Sequence, residues 1–424
     1  MTLRCRPSQG GDNQFPFIVQ IKIERTHSPL TTSHFPLIFA HMNIGFDAKR
    51  AYHNQTGLGH YSRTLIHSLA ANFPEHQYVL FNPKPSSIFQ FQEPNVQEVL
   101  PTSFLSKKLS AAWRSNWVKK ELKRFNIDLY HGLSHEIPVN IQKTGIKSIV
   151  TIHDLIYERY PEQFKLIDRK IYSKKFRYAC EHADKIIAIS NQTKQDIIQF
   201  YNTPAEKIEV CYQSCNPAFG VRVADDVKQR VKQHYNLPDR FFLYVGSIIE
   251  RKNLLNLCIA MNLLRGEIDI PLVVIGNGGE YKQKVKDYVY LNKLDDRIIF
   301  MSDQPTAKFS PTFQSAKDFP AIYQQAIAMI YPSVFEGFGI PVLEALWSRI
   351  PVITSNVSCL PEAGGEAAFY VDPTKPEEIA QQMKRILNDG SFVQQQLEKG
   401  WQHAQRFGNA NTAAKVMEVY EQVV

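Results

Sequence analysis

The stretch from Ala328 to Glu344 constrains this chain most. Ala328 to Tyr331 reads as a short buried strand, and Pro332 ends it. Phe335 to Gly339 forms a tight loop, and Pro341 is placed to open a helix that carries Glu344 in its first turns. Gly337 and Gly339 let backbone come close to a ligand and leave N–H groups free to face it. Glu336 in the loop and Glu344 on the helix flank those amides. Carboxylates accept hydrogen bonds from hydroxyls, and amides at a helix N-terminus take anionic phosphate. The arrangement suits a ligand that carries both groups. A plain strand–turn–helix with solvated glutamates fits the same residues.

The chain has 424 residues, enough for two domains of ordinary size, and its apolar content of 44% supports sizeable cores. A formal charge of +8 points to an anionic partner without choosing among nucleic acid, nucleotide sugar and acidic lipid. No helix-turn-helix, zinc or RNA-binding signature explains that charge, so nucleic acid is not expected as a partner. The six cysteines are scattered. Cys211 and Cys215 are the only close pair, and their spacing matches neither a C-x-x-C redox motif nor a complete zinc site, which favours a reducing compartment. No stretch has the length and apolarity of a membrane span, and Met1 to Gly11 lacks the apolar core of a secretory signal.

Residues 1–41 break the pattern that follows. They are rich in turn formers, and the strand expected at Phe17 to Ile23 has no helix partner. They read as an extension, or Met42 reads as the true start. From Asn43 onward, strands and helices alternate. Strands are expected at Asn43–Asp47, Gln77–Phe81, Ile127–Tyr130, Ile146–Ile152, Lys185–Ser190 and Ile208–Tyr212. A loop with Lys49, Arg50 and Gly57-Leu58-Gly59 precedes a helix over Tyr61–Phe73. Gly57 and Gly59 there allow close approach to a phosphate or simply make a turn, and Lys49 faces either a cleft or solvent. His131 and His153 each follow a buried strand, where open sheets bind ligands. Asp154 orients His153 or caps the next turn. Ser190 faces the cleft or caps the helix after it.

The residues from Ser106 to Phe125 predict one basic amphipathic helix, with Leu109, Trp113, Trp117, Leu122 and Phe125 as its apolar stripe. That helix either packs on the sheet or rests on an anionic membrane surface.

A second series starts at Phe241–Val245, followed by Gly246, Ser247, Arg251 and Lys252; adjacent Arg and Lys can neutralise a diphosphate. Further strands are expected at Leu272–Ile275, which runs into Gly276, and at Arg297–Phe300, Pro351–Thr354 and Phe369–Asp372. Helices are expected near 376–388, 391–406 and 412–420.

The spacing Glu336, Phe338, Gly339, Pro341, Glu344 resembles the E-x-F-G-x-P-x-x-E signature of retaining glycosyltransferases with two Rossmann-like domains, the GT-B fold of glycosyltransferase family 4. The likeness extends from about Met42 to the C-terminus. It implies an α/β chain with two Rossmann-like domains facing each other across a cleft: an acceptor-side domain over 42–212, a linker over 213–222, a nucleotide-sugar domain over 223–406, and a C-terminal helix in 407–424 that packs back on the first domain.

By the same resemblance, a hexose of the mannose or glucose type passes from a nucleotide diphosphate sugar, GDP- or UDP-linked, to a hydroxyl of a glycan or lipid-linked acceptor, with retention. Arg251 and Lys252 neutralise the diphosphate, Glu344 binds the ribose, and Glu336 holds the transferred sugar. Amides near Phe338, Gly339 and Ile340 assist, and Gly57, Gly59, Gly246, Ser247 and Gly276 line the donor. His153 reaches the sugar from the opposite domain, with His131 and Ser190 on the acceptor side. Ser247 departs from members that carry arginine there, so Arg251 takes over that contact. No metal and no cofactor are expected. The implied location is cytoplasmic, or peripheral on the cytoplasmic face of the inner membrane. The alternatives are a degenerate nucleotide-sugar binding protein and a nucleotide-sugar epimerase on a similar fold.

Overall fold

The computed structural model describes residues 41–424. The extension expected over 1–41, His41 apart, and the strand expected at Phe17–Ile23 lie outside the described residues.

Two parallel sheets organise the chain. The first contains β1 (Asn43–Asp47), β2 (Gln77–Phe81), β3 (Val96–Val99), β4 (Leu129–Gly132), β5 (Lys147–Ile152), β6 (Lys185–Ala188) and β7 (Ile208–Val210), in the order β3-β2-β1-β4-β5-β6-β7. The second contains β8 (Phe242–Val245), β9 (Leu272–Ile275), β10 (Ile298–Phe300), β11 (Ala328–Tyr331), β12 (Val352–Ser355) and β13 (Phe369–Val371), in the order β10-β9-β8-β11-β12-β13. Every recorded strand pair is parallel. Strands covered by helices on both faces need near-continuous apolar runs, and Leu-Val-Val-Ile of β9 and Ala-Met-Ile-Tyr of β11 are buried throughout.

The helices supply the cover. Pro376–Asn388 buries Ile379, Ala380, Met383 and Ile386, one face at helical spacing, with Glu377 and Glu378 in its first turn and Arg385 in its last. Each such side chain contributes about 1.5–3 kcal/mol on burial, so a charge at Met383 would break the packing. The last helix, Asn409–Glu421, packs on Gly57–Asn72 of the first domain and places Ala413, Val416, Met417 and Tyr420 in that domain's core.

Two local expectations need correction. The helix expected from Tyr61 begins at Gly57, so Gly57-Leu58-Gly59 is its first turn and not a loop before it. The single helix expected over Ser106–Phe125 is broken into Phe104–Lys108, Ser110–Ala112, a π-type turn over Trp113–Trp117, and Val118–Arg124. In the π-type turn Val118 N–H reaches back to Trp113 O, which inserts a residue and shifts the side-chain register. Trp113, Val118 and Leu122 then fall into the core, while Leu109 stays exposed. The apolar stripe is therefore mostly packing surface. The exposed apolar residues are Phe104, Leu105 and Leu109 at the start of the segment.

Candidate active site

In an open parallel sheet, two loops leave adjacent strand ends in opposite directions where the strand order reverses, and a crevice opens between them. In the second sheet that point lies between β8 and β11. The loop after β8 carries Gly246, Ser247, Arg251 and Lys252, and the loop after β11 carries Ser333 to Gly339. The residues expected to act together therefore meet because of strand order.

Their side chains converge on one oxygen. Glu336 Oε1 lies 2.9 Å from Arg251 Nη1 and 3.2 Å from Lys252 Nζ. It accepts hydrogen bonds from Tyr331 Oη at 2.9 Å and Ser333 Oγ at 2.8 Å. Lys252 also donates to Tyr331 Oη and sits over the Tyr331 ring, while Arg251 donates to Phe335 O. Burial alone would raise the Glu336 carboxyl, but Lys252, Arg251 and the two hydroxyls hold it at about 2. It is ionised throughout the physiological range. Its stabilising contribution is present above its ordinary value of 4.5 and is lost only as pH falls through about 2.

Glu344 has the opposite environment. It stands in the helix Ile340–Trp347, accepts a hydrogen bond from Tyr323 Oη at 2.8 Å, and burial raises it to about 7, opposed by Tyr323 and by the nearby charge of Lys252. A raised carboxyl stabilises the fold below its ordinary value of 4.5, and that stability is lost as pH rises through about 7. Glu344→Gln keeps an acceptor for Tyr323 and removes the charge. Its melting temperature is expected to exceed that of the native chain by several degrees at pH 8 and to match it near pH 4.5, measured by calorimetry across pH. Equal melting temperatures at both pH values would contradict the buried charge.

The loop between the two glutamates touches the first domain. Gly337 O accepts from Ser190 Oγ at 2.7 Å, and a Cβ on Gly337 would stand 2.3 Å from His153 O. Gly339 has φ 107°, a left-handed conformation that spares it a Cβ penalty, and serves as the N-cap of Ile340–Trp347. Ser190 also caps Asn191–Tyr201 by accepting from Thr193 N, and its buried hydroxyl is spent on that cap and on Gly337 O. Glu362 of the second domain accepts from Asn191 N at 2.7 Å and Gln192 N at 3.1 Å, at the positive end of that helix. Phe338 packs between Tyr212 and Phe407, so only its backbone is available to a ligand.

The histidines differ from expectation. His131 is fully buried, and its nitrogens are bonded to Tyr420 Oη at 2.7 Å and Thr151 Oγ1 at 2.8 Å. It does not face the cleft, and burial, then His153, lower its ring to about 3. His153 lies beside Gly337, but its Nε2 meets Leu133 O at 2.9 Å and its Nδ1 meets Gln213 Nε2 at 3.3 Å. Burial holds it neutral, near 4, so it donates to Leu133 and accepts from Gln213. Asp154 Oδ1 caps the next turn at Ile156 N and does not orient His153.

The residue missed from sequence is His135. It has φ 65°, stacks on Phe176 at 4.1 Å, and accepts His153 N–H on Nδ1. Nε2 then carries its ring proton. Nothing in Ser134-His135-Glu136 distinguished this histidine from a surface residue; the tertiary stack selects it. Gly59 is fixed by packing, since a Cβ would stand 1.8 Å from Asn54 O, whereas Gly57 faces open space at the helix start. Gly276 is equally close to the Gly246 carbonyl, with 1.9 Å left for a Cβ. Ser247 is exposed.

Comparison with known proteins matches both halves of the chain. The model described as Glycosyltransferase Family 4 matches residues 56–219, and that described as Glycosyl transferases group 1 matches residues 225–407. The chain belongs to the GT-B glycosyltransferases of family 4.

This glycosyltransferase is 25% identical to the O-antigen chain mannosyltransferase B of Escherichia coli over 399 residues, 90% of this chain and 100% of that one. Its fold is shared by a glycosyltransferase from Rickettsia africae, at TM-score 0.70 and 16% identity over 91% of this chain and 99% of that one. Anabaena HepE, solved with UDP and glucose, superposes at TM-score 0.66 and 14% identity, covering 90% of this chain and 100% of that one. Among the described residues, no helix is long and apolar enough to cross a membrane.

Proposed function

We propose that this glycosyltransferase moves a hexose of the mannose type from a nucleoside diphosphate donor to a hydroxyl of a glycan or lipid-linked acceptor, with retention of the anomeric configuration. The convergence of Arg251 and Lys252 on Glu336 at the reversal point of the second sheet carries this reading. Two adjacent cations there suit a diphosphate, and the name of the full-length E. coli relative supports mannose and a place in polysaccharide assembly.

In this mechanism Arg251 and Lys252 hold the donor diphosphate and stabilise the charge that grows as the bond from anomeric carbon to phosphate oxygen breaks. Amides at Phe338, Gly339 and Ile340 add donors at the start of the helix. Glu344 takes the ribose hydroxyls, and the free oxygen of Glu336 takes a hydroxyl of the hexose. The acceptor oxygen bonds to the anomeric carbon on the face the phosphate leaves, and its proton passes to the departing phosphate oxygen. His153 acts by positioning: its ring anchors the loop whose carbonyl meets Gly337. Gly57 opens the first-domain wall of the donor cleft, with Gly246, Ser247 and Gly276 opposite.

A thermal-shift panel of GDP, UDP and ADP tests the reading. One nucleotide at about 100 times its dissociation constant stabilises the folded state by about 2.7 kcal/mol, a rise of several degrees. No rise with any of the three would overturn it. Gly337→Ala offers a test of domain contact: the new methyl meets His153 O, so transfer is expected to fall at least about tenfold while free-nucleotide affinity stays unchanged, measured by initial rates and calorimetry. Unaltered transfer would show that the approach of Gly337 to His153 is not needed.

A further inference from the structure

The first sheet has its own reversal point, between β1 and β4. The two domains repeat one feature there. In the second, the first helical turn after the leading strand carries Arg251-Lys252; in the first, the helical turn Lys49–His53 opens on Lys49-Arg50. Their surroundings differ in one respect. Arg251 and Lys252 share Glu336. Near Lys49 and Arg50, the available carboxylates are already taken: Asp47 is bound side-on by Arg114 through Nε and Nη2, and Glu136 by Arg114 at 3.0 Å and Lys175 at 3.2 Å.

Lys49 and Arg50 are half-buried, and among the described residues neither side chain forms an ion pair or a hydrogen bond, although Lys49 N–H donates to Asp47 Oδ1 at 3.3 Å. The charge of Arg50 is felt by both His135 and His153. Burial, then Arg114 and Arg50, lower the Lys49 ammonium, against a smaller opposing pull from Glu136 and Asp47. Because the carboxylates near these two half-buried cations are already bound by Arg114 and Lys175, an anionic ligand would offset charge that the fold leaves only partly compensated.

We propose that this reversal point is an anion subsite in which Lys49 and Arg50 receive a phosphate group of the acceptor, with His135 Nε2–H as a neutral third donor. The inference rests on the acceptor entering from the first domain in the proposed reaction. The segment leading into the Arg114 turn exposes Phe104, Leu105 and Leu109, and the helix Leu166–His182, which carries Lys175, exposes Ile167 and Ile171. An acceptor phosphate esterified to an apolar chain meets cations at the crevice and apolar side chains along its rim.

The test uses the full chain saturated with its preferred nucleoside diphosphate, so that Arg251 and Lys252 are occupied. Hexyl phosphate, with hexyl glucoside as the uncharged control, is titrated by calorimetry. The phosphate is expected to bind and the glucoside to bind at least about tenfold more weakly. A Lys49→Gln/Arg50→Gln double variant is expected to lose about tenfold or more in hexyl phosphate affinity with nucleotide affinity unchanged, and Arg50→Lys to recover part of the loss. Each variant is compared at a matched native melting transition, and His135→Gln gives a second reading if the double variant fails to fold, with a smaller loss expected.

Equal affinity for phosphate and glucoside, or a double variant that binds hexyl phosphate normally, overturns the proposal. So does binding to phosphatidylglycerol vesicles without binding to hexyl phosphate, which assigns the cations to a bilayer surface. If the double variant loses nucleotide affinity instead, Lys49 and Arg50 serve the donor, and the subsite fails while the proposed reaction stands. Failure of the nucleotide panel removes the reaction itself.

Discussion

Lys252→Ala is expected to weaken nucleoside diphosphate binding by roughly 10- to 150-fold, from a charge-assisted contact of about 1.5–3 kcal/mol. Transfer is expected to fall further, because the diphosphate gains charge as it leaves, and loss of a donor aimed at developing charge costs about 100- to 1,000-fold in rate. The lysine is well placed for both effects. Its ammonium lies 3.2 Å from Glu336 Oε1 and over the Tyr331 ring, so it is fixed before any ligand arrives. Arg251 continues to neutralise Glu336 in the variant, which limits the damage to the fold. Calorimetry with the nucleotide selected by thermal shift, together with initial rates, measures both quantities. Unchanged affinity and turnover would remove the diphosphate assignment. Lys252→Arg separates charge from shape, since a guanidinium keeps the charge but not the single-point geometry.

The second large effect is expected at Glu336, and its sign differs between two measurements. Removing the carboxylate with Glu336→Ala leaves Arg251 and Lys252 buried without their anion, and breaking a buried pair in this way costs about 3–5 kcal/mol. The apo protein should lose many degrees of melting temperature. A nucleoside diphosphate then supplies the missing negative charge, so free-nucleotide affinity should be maintained or increased. Transfer from the full donor should still fall by roughly 10- to 150-fold, because the hexose loses its hydrogen-bond acceptor. Glu344→Ala should behave in the reverse manner: affinity for the free nucleotide falls with the ribose contact, and the apo fold loses less. Equal losses of nucleotide affinity in the two variants would refute the division of roles. Glu336→Gln guards against misfolding, since it preserves volume and an acceptor for Ser333 and Tyr331.

Much of this architecture could be read from the chain itself. The buried runs at Gln77–Phe81, Leu272–Ile275 and Ala328–Tyr331 match their strands because parallel strands covered on both faces have a local apolar signature. The turn from Glu336 to Glu344 was legible because proline and glycine constrain backbone locally. The positions of His131 and His135 were not. His131 lies in β4 and His135 just beyond it, and tertiary contacts fix each: Tyr420 and Thr151 enclose the first, while Phe176 stacks on the second. The helix expected over 106–125 failed for a related reason. Its apolar spacing is helical, but Arg114 is drawn to Asp47 and Glu136, far away in sequence, and a π-type turn accommodates that pull together with the burial of Trp113. The Glu362 cap on Asn191–Tyr201 likewise joins two domains through contacts that no local spacing announces.

The packing of Asn409–Glu421 on Gly57–Asn72 bears on how the chain is made. Leu65, Ile66 and Leu69 share a core with Val416, Met417 and Tyr420, and the Tyr420 hydroxyl meets His131 deep within it. During translation, the strands of the first sheet emerge long before those residues do. A nascent first domain can form its strand pairs, but it presents an open apolar seam along Gly57–Asn72 throughout synthesis of the second. Such a seam invites collapse onto a neighbouring chain, and closing it requires the second domain to bring the last helix back. Completion of the first domain is thereby coupled to the folding of the second, so a lesion anywhere in residues 225–407 that delays the second sheet would leave the first domain unfinished as well.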